Sequence, residues 1–174
     1  MELVTRRLVL RDYQPGDLEA AHRFTSDPES VRHVTWGPNT WHDTEMFLDG
    51  WLEEQRATPR TGWTLAVTEP GGDTFGSVGI YRDGEHHAEL GFSIRRDMWN
   101  RGFGTEAAGA VLAFGFDELG LRRIWATCRP ENVPSRRVLE NIGMELEGRL
   151  RDHVLIRGTW HDSLLYAAIT PHRD

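Results

Sequence analysis

Apolar and polar side chains alternate through Arg7–Tyr13 (RLVLRDY), a period of two that predicts a half-buried strand. PGDLEAAHRFTSD then carries a helix start, with Asp17 acidic in its first turn, and PES breaks it. The segment WGPNTWHDT, Trp36 to Thr44, is aromatic and turn-rich. Asp43 or Thr44 is expected to cap a second helix running to about Arg56, with Phe47 and Trp51 on one face. WTLAVTE and FGSVGIYR read as strands joined by a PGGD turn, and HAELGFSIR as a third after DGE, which makes an antiparallel meander. A helix is predicted from Thr105 to Leu119, ended by Gly120. RRIWATC returns as a strand with Ile124, Ala126 and Cys128 on one side. A short helix from about Pro134 to Asn141 is closed by Gly143, and MELEGRLRDHVLIRG with WHDSLLYAAI forms a final hairpin. The pattern holds no repeat, linker or low-complexity tract.

Composition narrows this picture. A chain of 174 residues, 39 % hydrophobic, fits one domain over residues 1–174. All 20 basic residues are arginine, which excludes Schiff-base chemistry through a lysine. A net charge of −7, with arginines scattered among acids, argues against nucleic-acid binding and suits a cationic small or peptidic partner. Cys128 is the single cysteine, so no internal disulfide or Cys-rich cluster can form. Eight histidines, His86 and His87 among them, show no HExxH spacing, and no metal is expected. No leader pattern and no apolar run of about twenty residues is present, so the expected setting is cytoplasmic, away from membranes.

The stretch WNRGFGTEAA sets two glycines against a helix start. Free amides of Gly102, Phe103, Gly104 and Thr105, with the positive helix end, would form an anion cradle, and glycine permits close approach. The same turn could serve only to start the helix. No Gly-Lys-Ser/Thr follows, as a P-loop requires, and the third glycine of a dinucleotide turn is missing.

Five segments carry a resemblance: ELGFSI (89–94), WNRGFGTEA (99–107), FGFDELGLRRI (114–124), RPENVPSRRVLENIGMELEGRLRD (129–152) and GTWHDSLLYA (158–167). Together they resemble the GCN5-related N-acetyltransferases (GNAT), in the branch of ribosomal-protein N-terminal acetyltransferases. The resemblance implies an α/β fold with a mixed, strongly bent sheet of about seven strands, splayed centrally to hold acetyl-CoA. It implies that the pantetheine arm pairs with the backbone of Phe92, Ser93 and Ile94, and that the pyrophosphate rests on Arg101–Thr105. Trp99 stands where the wider superfamily often has Gln or Arg, and is common in this branch. A homodimer is a possible assembly.

Acetyl transfer to an amine needs a neutral nitrogen, a polarised thioester and a proton for the departing thiolate. Asn132 and Ser135 in ENVPS read equally as helix caps or, by the resemblance, as a holder of the pantetheine arm and a group near the sulfur. A tyrosine acid common in the superfamily would stand at Leu139, so Ser135, a water or direct departure must serve. Glu89, with Gly91 and Ser93 on its side of the strand, is the candidate base; His87 or His86 is the alternative. His33, Trp36 and Trp41 lie in a loop resembling the acceptor side of the family, where aromatic faces attract a cationic amine. Trp160 and Asp162 read as structural or as acceptor wall, and Cys128 as a small buried hydrophobe. The expected activity is therefore acetyl transfer from acetyl-CoA to a primary amine, a peptide N-terminus or a small molecule. A non-catalytic acyl-CoA-binding module and a nucleotide-binding domain are the alternatives.

Overall fold

Eight strands form one sheet in the computed structural model, which describes residues 1–170. They are β1 (Glu2–Val4), β2 (Val9–Asp12), β3 (Gly62–Thr68), β4 (Gly76–Arg82), β5 (His87–Ile94), β6 (Arg123–Cys128), β7 (Glu145–Ile156) and β8 (Thr159–Ile169). Their spatial order is β1-β2-β3-β4-β5-β6-β8-β7. Four helices flank the sheet: α1 (Leu18–Thr25), α2 (Trp41–Glu54), α3 (Phe103–Asp117) and α4 (Val133–Asn141). The strand beyond the expected seven is β1, whose three residues are too few for alternation to show.

The period of two divides the sheet into two faces. Ala88, Leu90 and Ile94 of β5, Leu65 and Val67 of β3, and Ile124, Ala126 and Cys128 of β6 join the main core under α3. On the other face Tyr13, Ala66 and the helix residues Phe24, Leu48 and Leu52 form a second cluster. Helix α3 approaches closely at Gly115, where a Cβ would lie 2.6 Å from both Ile80 and Ile124. Strands β5 and β6, joined by the α3 crossover that a parallel pair requires, are the one parallel pair among the described residues; the other pairings, β2–β3 across α1 and α2 included, are antiparallel.

Two helix starts differ from expectation for local reasons. Helix α2 begins at Trp41, because Thr40 and not Asp43 or Thr44 is the cap: Thr40 Oγ1 accepts from the Asp43 amide while Asp43 accepts from the Thr40 amide. Helix α3 begins at Phe103, two residues early, because Gly102 takes φ 77° and turns the chain directly into it.

Asp17 does more than complement a helix dipole. Only 6 % exposed, it accepts two bonds from Arg11 (2.7 and 2.8 Å), one from the Gln14 amide (2.7 Å) and one from Thr74 (2.8 Å). Burial alone would raise its carboxyl pKa, but these donors outweigh burial and hold it below the ordinary value. A depressed carboxylate contributes stability above its unfolded pKa of about 4, and loses it as pH falls through the folded value. Asp17→Asn should therefore cost about 3 kcal/mol at pH 7. Urea unfolding should show that cost shrinking as pH falls below about 4, where the parent's unfolded carboxyl takes up a proton that the folded one resists.

Candidate active site

Strands β5 and β6 pair over only three positions, His87–Arg123, Ala88–Ile124 and Glu89–Trp125. Beyond them β5 stays paired to β4 as far as Ile94, and β6 to β8 as far as Cys128, but not to each other. The sheet therefore splits, and the facing backbone edges from Leu90 and Ala126 onward are free to bind an extended ligand. The Trp99 indole closes the far end by donating to the Ile94 carbonyl.

One cavity, of about 490 Å³, opens from the split toward the helix starts. Phe92, Ser93, Ile94, Trp99, Gly102, Phe103, Gly104, Thr105, Asn132 and Ser135 line it. The first amides of α3 lack helical acceptors and converge here, so the turn can hold an anion. A Cβ at Gly104 would stand 3.5 Å from Val138 and 3.8 Å from Ile94, which is ordinary contact, so steric fit within the protein does not require this glycine. Arg101 lies on the turn but outside the cavity lining; its carbonyl accepts from Arg7 (2.9 Å). Arg7 also pairs with Glu106 (2.7 Å) and lies over the Phe103 ring (4.6 Å), clamping the turn to the first hairpin.

A second cavity, of about 530 Å³, lies on the α1–α2 face and shares His33, Val34, Phe92, Ser93, Asn132 and Ser135 with the first. Its walls include His33, Trp36, Phe47, Trp51, Tyr81, Glu89, Trp125, Thr127, Arg129 and His153. Glu89 faces this side with Gly91 and Ser93, and burial, then the charge of Asp83, raises its pKa above the ordinary carboxylate value. Tyr81 is its cross-strand partner. The tyrosine folds back over Gly79, where a Cβ would lie 2.3 Å from its hydroxyl, and its hydroxyl meets Thr64 at 3.0 Å. Burial raises the Tyr81 pKa to about 12, against the lowering effect of the Thr64 bond.

Trp36 packs edge-on against Phe47 (5.3 Å), which in turn meets Trp51 (5.9 Å). His33 accepts from Arg32 at Nε2 (2.9 Å), and burial, then the Arg32 charge, lowers its pKa, so the ring is neutral at neutral pH. Arg157, in the β7–β8 turn, donates to the carbonyls of Val31, Arg32, Trp36 and Gly37, stapling this loop to the last hairpin. In that hairpin Leu150 opposes Ser163 and Val154 opposes His161, so three residues bulge across from Asp162. Asp162 holds the bulge through the Asp152 amide (3.0 Å) and Arg149 (2.6 Å). The bulge presents His153, whose Nδ1 meets Ser163 at 2.7 Å. No sequence pattern singled out Arg7, Tyr81, Arg129 or His153. The glycine inside a strand at position 79 is the one signal that marks a close approach.

Between the cavities, Asn132 caps α4, accepting from the Ser135 amide at 3.2 Å, and Ser135 stands in the first turn with its side chain on the shared wall. Leu139 is 1 % exposed. Burial pushes the Cys128 thiol up to about 11, so it is protonated at neutral pH and a poor nucleophile. Trp41 is not brought to the site: in α2 rather than a loop, it donates to Glu45 (3.0 Å) and meets His22 edge-on, outside both cavities. Among the described residues no group of three His, Cys, Asp or Glu could hold a metal, and no helix is long and apolar enough to cross a membrane.

A family model described as an acetyltransferase (GNAT) domain matches residues 7–145. The uncharacterized N-acetyltransferase YnaD of Bacillus subtilis (strain 168) is 31 % identical over 170 residues, 97 % of each chain. A crystal structure of an acetyltransferase (GNAT family) from Bacillus anthracis superposes with a TM-score of 0.86 at 33 % identity, covering 97 % of this chain and 98 % of that one. The [ribosomal protein uS5]-alanine N-acetyltransferase of Escherichia coli (strain K12) is 34 % identical over 92 residues, 53 % of this chain and 47 % of that protein.

The dependence of Tyr81 on Gly79 can be checked directly. Gly79→Ala should push the hydroxyl off Thr64 toward solvent and bring the tyrosine pKa down from about 12 toward its ordinary value, read by ultraviolet titration.

Proposed function

The chain belongs to the GNAT family of acetyltransferases, enzymes that use acetyl-CoA, and from that premise we propose that it moves the acetyl group in one step to a primary amine held in the same complex. The carrying observation is the shared wall of the two cavities, which includes Phe92, Ser93, Asn132 and Ser135, where a thioester from one side meets an amine from the other. Phe92, Ser93 and Ile94 offer the free strand edge to the pantetheine arm, and Gly102–Thr105 offer the helix start to the pyrophosphate, with Arg101 held by its carbonyl at the rim. Trp36 lines the acceptor side, and His33 stands on the wall that the two cavities share.

The ammonium first gives one proton to Glu89, directly or through water, and the raised pKa of Glu89 makes it a better base near neutrality. Attack of the neutral amine forms the C–N bond at the thioester carbonyl, and collapse breaks the C–S bond. Ser135 donates a hydrogen bond toward the departing thiolate, which takes up the second proton released from the nitrogen through the serine hydroxyl or water, since Leu139 offers no hydroxyl. A protonated Cys128 favours this direct route over an acetyl-cysteine intermediate.

The acceptor is the amine of a peptide N-terminus or of a small molecule; the uS5-alanine acetyltransferase among the relatives supports the former. The same relative supports a cytoplasmic setting. Exposed Leu146 and Leu155 on the sheet's edge strand β7, the latter opposite the exposed Trp160, support a homodimer. An acceptor screen with N-terminal peptides and small amines, reading free coenzyme A, tests the activity; acetyl-CoA hydrolysis with no acetylated acceptor would reject it.

Two variants test the parts. Gly104→Ala fits the protein sterically and, in the first turn of α3, favours the helix by part of the roughly 1 kcal/mol that holds in helix interiors. It should raise Tm while weakening acetyl-CoA roughly tenfold by calorimetry, the cost of about one charge-assisted hydrogen bond. Unchanged affinity would remove the turn from the donor site.

Glu89→Gln should lower the neutral-pH rate by roughly 100- to 10,000-fold and regain part of it as rising pH deprotonates the amine. The fold should respond in the opposite sense. A carboxyl whose folded pKa is raised loses stability as pH climbs from its unfolded pKa through the folded one, so at pH 7 the glutamine variant should melt higher. A pH–rate profile overlaying the parent would exclude Glu89 as the base.

A further inference from the structure

Arg129 follows the last residue of β6 and is only 5 % exposed. Its Nη2 reaches Thr127 at a long 3.4 Å, while Nε and Nη1 have no hydrogen-bond partner. Thr127 and Trp125 lie on the acceptor face, opposite the core residues Ile124, Ala126 and Cys128, and Arg129 lines the acceptor cavity but not the cavity of the glycine turn. A desolvated guanidinium without an anion is expensive to keep, and burial depresses its pKa accordingly. Nearby Glu131 is half exposed and directed at His161 (3.6 Å), outside ion-pair distance of Arg129.

The remaining charge in the acceptor cavity is of opposite sign. Glu89 stands beside Trp125, four residues before Arg129, so strand rise separates the two residues' backbones by roughly 13 Å along the sheet, and both side chains line the one cavity between them. Aromatic walls, Trp36, Phe47 and Trp51, lie between the helices and the strands.

We propose that the acceptor carries a carboxylate as well as its amine, and that Arg129 binds this carboxylate while Glu89 attends the amine. The inference rests on the acetyltransferase reading and narrows its substrate to amines that carry a carboxylate in the same molecule. The carboxylate can come from a free amino acid or from an acidic side chain near a peptide N-terminus. An alternative anion, the phosphates of coenzyme A, belongs to the other cavity, which Arg129 does not line.

The test compares matched acceptors with and without the carboxylate: leucine and phenylalanine against their amides, and N-terminal tetrapeptides with Asp or Glu against Asn or Gln at the second position. The parent should favour the carboxylate in kcat/KM by roughly ten- to a hundredfold, the value of a charged hydrogen-bonded contact, and whichever series shows it names the source. Arg129→Gln should collapse that ratio toward one. Because it removes an unsatisfied buried charge, this variant should hold or raise Tm, where loss of a structural ion pair would lower it. Calorimetry with N-acetyl-leucine and N-acetyl-leucinamide on the coenzyme A-saturated protein reads the same preference without turnover. Equal use of acid and amide by the parent, or a preference surviving in Arg129→Gln, would overturn the proposal. So would a loss of acetyl-CoA affinity in that variant, which would assign Arg129 to the donor. Failure to bind acetyl-CoA in the parent would instead strike the acetyltransferase reading itself.

Discussion

Three residue pairs of parallel ladder between β5 and β6 are the constraint on which the rest of the molecule turns. Had the pairing run the full length of both strands, backbone donors and acceptors would have been satisfied internally and no extended ligand could dock there. The strands diverge because each is claimed by a different partner: β5 by β4 and the overlying α3, β6 by β8 and α4. Helix α3 lies tightly across both halves at Gly115, against Ile80 of β4 and Ile124 of β6, and its N-terminal residues line the cavity at the open end. A single topological choice thus produces an unpaired strand edge and a positively polarised helix end side by side.

Most of this arrangement was legible because it depends on short-range pattern. Alternation located β2 to β6 and put Glu89, Gly91 and Ser93 on one face, and the glycines at 102 and 104 marked the turn. What escaped has no local signature. The clamp from Arg7 to Glu106 joins residues 99 apart, and neither side chain announces the other. Arg129 sits next to a core cysteine and reads in sequence as one more solvated arginine; only folding reveals its burial. The bulge around His153 sets three residues opposite one, with Asp152 at φ 45° and no glycine to mark it in the sequence. Trp41 misled because its neighbours Gly37, Pro38 and Asn39 look like loop, while Thr40 in fact closes the loop and opens a helix.

The acceptor cavity also shows where the fold carries costs. Glu89 is held where its charged form is disfavoured, and Arg129 is held without a partner, while Asp17 and Arg11 satisfy one another fully on the same face of the sheet. Burial of charge is tolerated in one place because the donors are internal, and in the other because a ligand can supply what is missing. Two core clusters, one on each side of the sheet, provide the stability against which such costs are set.

The Arg157 staple has a thermodynamic consequence for recognition. Loops that shape a pocket usually lose conformational entropy when a ligand arrives, and affinity falls by that amount. Here four carbonyls between Val31 and Gly37 are already fixed by one guanidinium from the β7–β8 turn, so the wall bearing His33 and Trp36 is ordered when the chain folds. Its ordering is charged to folding and not to association. An acceptor therefore meets a preorganised surface, and its binding reflects complementarity with little deduction for loop freezing.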